Sequence, residues 1–199
     1  KPEMFGLAPS TAAVKALKKF QEENITSIVE LGAGLGRDTL FFAKNSIHVH
    51  ALDYSPLGIQ LINEKAKKQN LSKFISAKKF DVRQKLPFNN NSVKGFFSHM
   101  LYCMALTNFD LKNLNNEILR VLVSQGLNIY TVRHTNDGDY KNGVHIGEDL
   151  YENDGFIVHY FSEEKIKQLS NGFENLTIEK FEEGNFPRKL FFVINKKNI

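Results

Sequence analysis

Apolar and polar positions along this chain of 199 residues switch repeatedly between helical and strand spacing, and the switches outline its elements. Ser10 or Thr11 offers a helix cap, and Ala13, Val14, Leu17 and Phe20 recur behind it at helical spacing. An unbroken apolar run with β-branched residues, Ile25 to Leu31, reads as a buried strand. Thr39 to Lys44 continues as a helix, and His48 to Leu52 alternates into a second strand ending at Asp53. Ser55 to Gln69 reads as a helix, with Ile59, Ile62 and Ala66 on one face and lysines opposite. Phe74 to Phe80 and Val93 to Ser98 predict a third and a fourth strand. Phe109 to Leu122 then predicts a helix burying Leu111, Leu114, Ile118, Leu119 and Leu122, and Leu127 to Val132 a fifth strand. Ser162 opens a helix to Asn171, after which Phe173 to Glu182 and Arg188 to Ile194 predict two more strands joined by Gly184-Asn185-Phe186-Pro187. Strands alternating with helices belong to an α/β fold. One stretch, residues 133–161, fits neither period and predicts a long ordered loop of the kind that forms lids.

The first strand runs into Glu30-Leu31-Gly32-Ala33-Gly34-Leu35-Gly36-Arg37. A strand, a glycine-rich turn and a helix place bare backbone N–H groups and a positive helix end at one point, where a ligand can approach closely. A dinucleotide fingerprint needs its third glycine one residue later, where Arg37 stands, so NAD or FAD is disfavoured. A G-x-x-x-x-G-K-[ST] phosphate loop is absent from the sequence. Asp53 follows Gly36 by 17 residues, at the end of the second strand. Its two oxygens can accept both hydroxyls of a ribose.

Composition narrows the class. The 42% apolar and 24% charged residues are those of a globular protein. An apolar run approaching the ~20 residues of a membrane helix does not occur, so the reading includes no membrane partner. The first residues lack the order of a signal peptide, and a cytoplasmic location is expected. Cys103 is the single cysteine, which excludes an internal disulfide and a thiolate metal site. The net charge of +4 comes from lysines spread over helix faces and the C-terminus, which argues against a nucleic-acid partner.

Glu30-x-Gly32-x-Gly34-x-Gly36 resembles motif I of the class I S-adenosylmethionine (SAM) dependent methyltransferases. The resemblance extends over about residues 5 to 195 and implies a Rossmann-like sheet of seven strands in the order 3-2-1-4-5-7-6, the last antiparallel. It implies SAM as cofactor and one domain over 1–199, with a helical lead-in (1–24) and an insertion or lid (133–161). It places Glu30, Gly32, Ala33, Gly34 and Gly36 around the methionine part of SAM, Asp53 and Tyr54 at the ribose, and Asp81 and Val82 at the adenine. Ser98 opens the motif IV region that borders the transferable methyl. His99, Tyr102 and His134 are the candidate catalytic residues, and Phe5, Arg133, His145 and His159 the candidate acceptor contacts.

Phe5-Gly6, Arg133-His134, the run Gly155 to Ser162 and Pro187-Arg188-Lys189-Leu190-Phe191 look like the small tellurite-resistance and small-molecule methyltransferases. An Asn-Pro-Pro-Tyr motif for amino-methylation of bases is lacking. The acids Asp137, Asp139, Glu148, Asp149, Glu152 and Asp154 would give an acidic mouth suited to a small, cationic or neutral acceptor. Histidine and carboxylate spacing there is not that of a metal site, and no metal is expected. A monomer or homodimer is expected. Other readings are a non-catalytic SAM-binding regulator, a partner-activated subunit, a methyltransferase for protein or RNA, and a dehydrogenase-like enzyme with an irregular loop.

Overall fold

The computed structural model describes residues 8–184 and 188–198, without the side chains of 175 and 176. Phe5 and most of the Gly184–Pro187 connection lie outside the described residues. In chain order the elements are α1 (Thr11–Glu22), β1 (Ser27–Leu31), α2 (Arg37–Lys44), β2 (His48–Asp53), α3 (Pro56–Lys68), β3 (Ile75–Lys79), β4 (Val93–His99), α4 (Asn108–Val121) and β5 (Leu122–Arg133). They continue with β6 (Val144–Gly147), β7 (Leu150–Asn153), β8 (Phe156–His159), α5 (Glu163–Leu169), β9 (Phe173–Glu183) and β10 (Arg188–Lys197).

Seven strands form one sheet in the order β3-β2-β1-β4-β5-β10-β9. β1 to β5 pair in parallel, and β10 runs antiparallel to both its neighbours. With β9 and β10 as the sixth and seventh strands of the main sheet, this is the order expected from the sequence. Strand alternation sends successive side chains to opposite faces, and both faces are covered. Val29, Phe96, Tyr130 and Val193 pack with α4 and α5, while Ile28, Phe97, Ile129 and Ile194 pack with α1, α2 and α3. The caps follow the sequence too: Ser10 and Ser55 accept the Ala13 and Gly58 N–H groups, and Thr107 forms a capping box with Asp110.

Two elements differ from expectation. The fifth strand starts at Leu122, directly after α4, and bulges before it settles. Val93 pairs with Leu122 and Gly95 already with Leu127, with Gln125 at φ 63° between them. Residues 133–161 are not a loop throughout: β6, β7 and β8 form a second, antiparallel sheet. Its β7–β8 hairpin turns on Asp154-Gly155, both at positive φ, as a two-residue turn of this composition favours. Among the described helices, none is long and apolar enough to cross a membrane.

Candidate active site

The C-terminal ends of β1, β2 and β4 open on a cavity of about 1010 Å3. Open parallel sheets bind ligands at this end, where the strand order reverses between β1 and β4. The glycine turn forms one side. Gly32, Gly34 and Gly36 all have positive φ, and the Gly32 and Ala33 N–H groups donate to the Leu52 carbonyl at 2.8 and 3.2 Å. Gly36 is needed twice over. Its φ is 81°, and a Cβ there would lie 2.5 Å from Ile62.

Asp53 locks the turn to β2. Its carboxylate accepts the Gly34 N–H at 2.7 Å and the Ser55 N–H at 2.8 Å, which aims its remaining lone pairs. Tyr54 beside it is largely exposed. Asp81 forms a two-pronged ion pair with Arg83, at 2.9 Å from Nε and 2.7 Å from a terminal nitrogen. The hydrogen bonds from Arg83 hold the Asp81 carboxyl below the usual carboxylate range. Glu30 is buried and bonded to the Thr39 hydroxyl at 2.5 Å. Burial and the nearby Asp38 raise its pKa well above the ordinary value.

The segment after β4 adjoins the turn, with Leu101 packed so close to Gly32 that a Cβ on Gly32 would lie 3.0 Å from it. Met100, Leu101, Met104, Ala105 and Leu106 give an apolar wall, with His99 at its start. Met100 holds an unfavourable φ of 67°, fixed by its N–H bond to the Thr131 hydroxyl at 3.0 Å. Pro9 of the lead-in also reaches the cavity. Ser10 is tied to the buried Asp38 through both its N–H (2.8 Å) and its hydroxyl (2.7 Å).

Of the sequence candidates, Glu30, Gly32, Ala33, Gly34, Asp53, Tyr54, Asp81, Val82 and His99 line this cavity together. Others do not. Gly36 packs behind the turn, and Ser98 is buried within β4, its hydroxyl without a partner among the described residues. Tyr102 is wholly buried and stacked on Tyr130 at 4.3 Å, outside the cavity lining, and burial pushes its phenol far above the ordinary range. His134 is buried against Phe191 and accepts the Asn136 N–H at its Nδ1, which removes it from the site.

The insertion also departs from expectation, because none of its residues lines the cavity. Arg133 is sequestered by Asp137 and Asp139 and lies over the Tyr160 ring. His145 leans on Tyr151, away from the cavity, 2.9 Å from the Glu148 carbonyl. His159 donates through Nδ1 to the Leu106 carbonyl at 2.6 Å and accepts from Lys165 at 2.6 Å. The acidic mouth dissolves as well: Asp149 pairs with Lys165, Glu148 accepts the Asn108 N–H and Glu152 accepts the Gly155 N–H. The insertion therefore acts on the site from behind. It braces the 100–107 wall through His159, Leu106 and Asn108.

Sequence reasoning missed Asp38, Arg37 and Met104, all on the cavity wall. It also missed Gly58, whose signal was a glycine in the first turn of a helix. A Cβ at Gly58 would lie 2.4 Å from the Gly34 carbonyl oxygen, so the glycine turn rests directly on α3.

A family model described as a methyltransferase domain matches residues 28–126, from β1 into β5. The chain belongs to the class I SAM-dependent methyltransferases. No curated protein matches the sequence. Solved methyltransferases share the fold at low identity. A SAM-dependent methyltransferase from Methanosarcina mazei is 17% identical, with a TM-score of 0.75 over 90% of this chain and 97% of that one. TehB from Haemophilus influenzae is 17% identical, with a TM-score of 0.71 over 93% of this chain and 62% of that one. The 1,6-didemethyltoxoflavin-N1-methyltransferase of Burkholderia thailandensis, solved with its substrate and S-adenosylhomocysteine, is 16% identical. Its TM-score is 0.73, over 95% of this chain and 79% of that one.

The cofactor of this methyltransferase is SAM. The cavity suits it chemically. Carboxylates stand at three successive strand ends, where hydroxyls, an amine and a cationic head need acceptors, and an apolar wall shares the cavity with them. Among the described residues, no group of three or more His, Cys, Asp or Glu is arranged to hold a metal.

Proposed function

We propose that this methyltransferase acts on a small neutral molecule held by the 100–106 wall beside the glycine turn. The observation that carries the reading is the cavity itself: it is large enough for a cofactor and an acceptor side by side. SAM supplies an electrophilic methyl on a sulfonium, which an acceptor attacks in line. In our reading Gly32, Ala33 and Gly34 admit the methionine part, Asp53 accepts the ribose hydroxyls beside Tyr54, and Asp81 with Val82 meets the adenine. Met100, Leu101, Met104 and Leu106 would hold the apolar body of the acceptor and exclude water, which keeps the reacting atoms at near-attack distance. Pro9, held at the cavity by the bonds of Ser10 and Thr11, would border the acceptor. The whole chain would act as one domain, with 133–161 as a brace rather than a lid, in the cytoplasm.

Two observations favour a neutral small molecule over a cation or a polyanion. The insertion's carboxylates are spent on internal partners. The cavity lining carries both signs, with Asp38, Asp53 and Asp81 against Arg37, Lys44, Lys65, Lys68 and Arg83, and so favours neither a cation nor a polyanion. The solved relative that carries a small heterocyclic substrate is consistent with this class. The test is methyl transfer from labelled SAM into a cell extract separated into small molecules, RNA and protein. Label in the small-molecule fraction is the expected result; label in RNA or protein alone would overturn the proposal.

A further inference from the structure

We infer that His99 takes the proton of a neutral O–H or N–H acceptor, and that Glu183 is the positioning residue that stabilises the imidazolium so formed. The inference rests on the small-molecule reading above.

His99 ends β4 on the cavity wall, mostly buried. Its Nδ1 lies 2.9 Å from the Thr131 hydroxyl, which also accepts the Met100 N–H. Thr131 therefore fixes the ring and engages one nitrogen. The other nitrogen, Nε2, lies 3.3 Å from Glu183 Oε2, yet that oxygen is buried without a hydrogen-bond partner among the described residues. The other carboxylate oxygen, Oε1, accepts the Thr11 N–H at 2.8 Å, which fixes the carboxylate to the first turn of α1. Nε2 is thus the nitrogen left for a ligand.

The arrangement fits the product of proton transfer better than the resting state. The single lone pair of Nε2 faces the acceptor, so the unpartnered Glu183 oxygen 3.3 Å away acts on the imidazolium through its charge, an attraction absent while the ring is neutral. Stabilisation that appears only as charge develops is the kind that accelerates a step. The charged groups facing His99 come from several elements. Asp38 on α2 and Glu183 on β9 favour the cation, while Arg37 on α2 and Arg188 on β10 oppose it. Burial is the largest influence and lowers the His99 pKa, which leaves the ring neutral and able to accept near pH 7.

In the step, the acceptor heteroatom forms the new bond to carbon, and the carbon–sulfur bond breaks with its electron pair going to sulfur. The acceptor's proton passes to His99 Nε2 and later to solvent. Such a site selects acceptors that arrive protonated, such as a phenol or a heteroaromatic N–H. An acceptor already ionised has no use for it.

Two readouts on the full chain test this. NMR titration of the histidine rings should show the His99 pKa falling by about 1 in Glu183→Gln, the effect of removing a nearby opposite charge. The amide keeps an acceptor for Thr11, so a mere helix-capping role would leave the titration unmoved, and an unmoved titration overturns the inference. Labelled SAM is then offered with phenol, benzimidazole and thiophenol, the last ionised at pH 8. Methylation of phenol or benzimidazole should fall by about 100-fold in His99→Gln and by about tenfold in Glu183→Gln. Both losses should exceed those on thiophenol. Equal losses on all probes, or a wild-type enzyme that methylates thiophenol alone, would also overturn it. Calorimetry with SAM separates the levels: wild-type protein that fails to bind SAM refutes the cofactor site, not the role of His99.

Discussion

Gly58 shows how much a single residue decides here. A helix position normally gains stability when glycine becomes alanine, by about 1 kcal/mol. In this chain the added Cβ would press on the Gly34 carbonyl oxygen at 2.4 Å, a backbone atom that cannot swing aside. Gly58→Ala is therefore expected to destabilise by about 1–3 kcal/mol in urea unfolding and to weaken SAM binding, because the turn must shift. A stabilised variant would contradict the contact. Residues near motif I were legible because they are local: Gly32, Gly34 and Asp53 sit on consecutive strand ends, and their spacing alone brings them together. Glu183 was not legible. It meets Thr11 across 172 positions of sequence, and nothing in the spacing of an edge strand tells which glutamate turns back towards the site.

Among the elements, the insertion departs most from its sequence signature. Its strands are four residues each, too short for alternation to declare itself, although Asp154-Gly155 between Asn153 and Phe156 was a usable hairpin signal. Its histidines and acids looked like site chemistry and proved to be internal cross-links. His159 is the central one, joining Leu106 to Lys165. Replacing it with phenylalanine leaves the Leu106 carbonyl without its donor, while Lys165 keeps Asp149. The expected cost is about 1–3 kcal/mol of stability, read by urea denaturation. The SAM dissociation constant should stay within about threefold (0.65 kcal/mol), since no insertion residue lines the cavity. Intact stability with lost SAM binding would mean that the insertion forms the cofactor site itself.

For the whole molecule, the folded state holds several titrating groups away from their ordinary behaviour. Burial lowers the pKa of His50, His99, His134 and His159. An unfolded histidine binds a proton near pH 6.5 that these resist when folded, so stability present above that pH is lost as the pH falls through and below it. Glu30 acts in the opposite direction. Its raised pKa gives stability that is complete below about pH 4.5 and lost as the pH rises through the folded value. Four histidines outweigh one glutamate, so unfolding free energy is expected to be smaller at pH 5.5 than at pH 7.5. Equal values at both would show that the rings are open to protons in the fold. The sheet order was legible from the alternation of strands with helices and from the motif. The balance of buried charge was not, since it depends on which side chains the topology encloses together.

The most direct test of the central claim, that the turn after β1 and the carboxylate after β2 hold SAM, is calorimetric titration of the wild-type protein and Asp53→Ala with SAM. The expected result is one site of micromolar affinity (about −8 kcal/mol), weakened more than tenfold in the variant, about 1.4 kcal/mol. No binding to the wild type, or binding indifferent to Asp53, would contradict it.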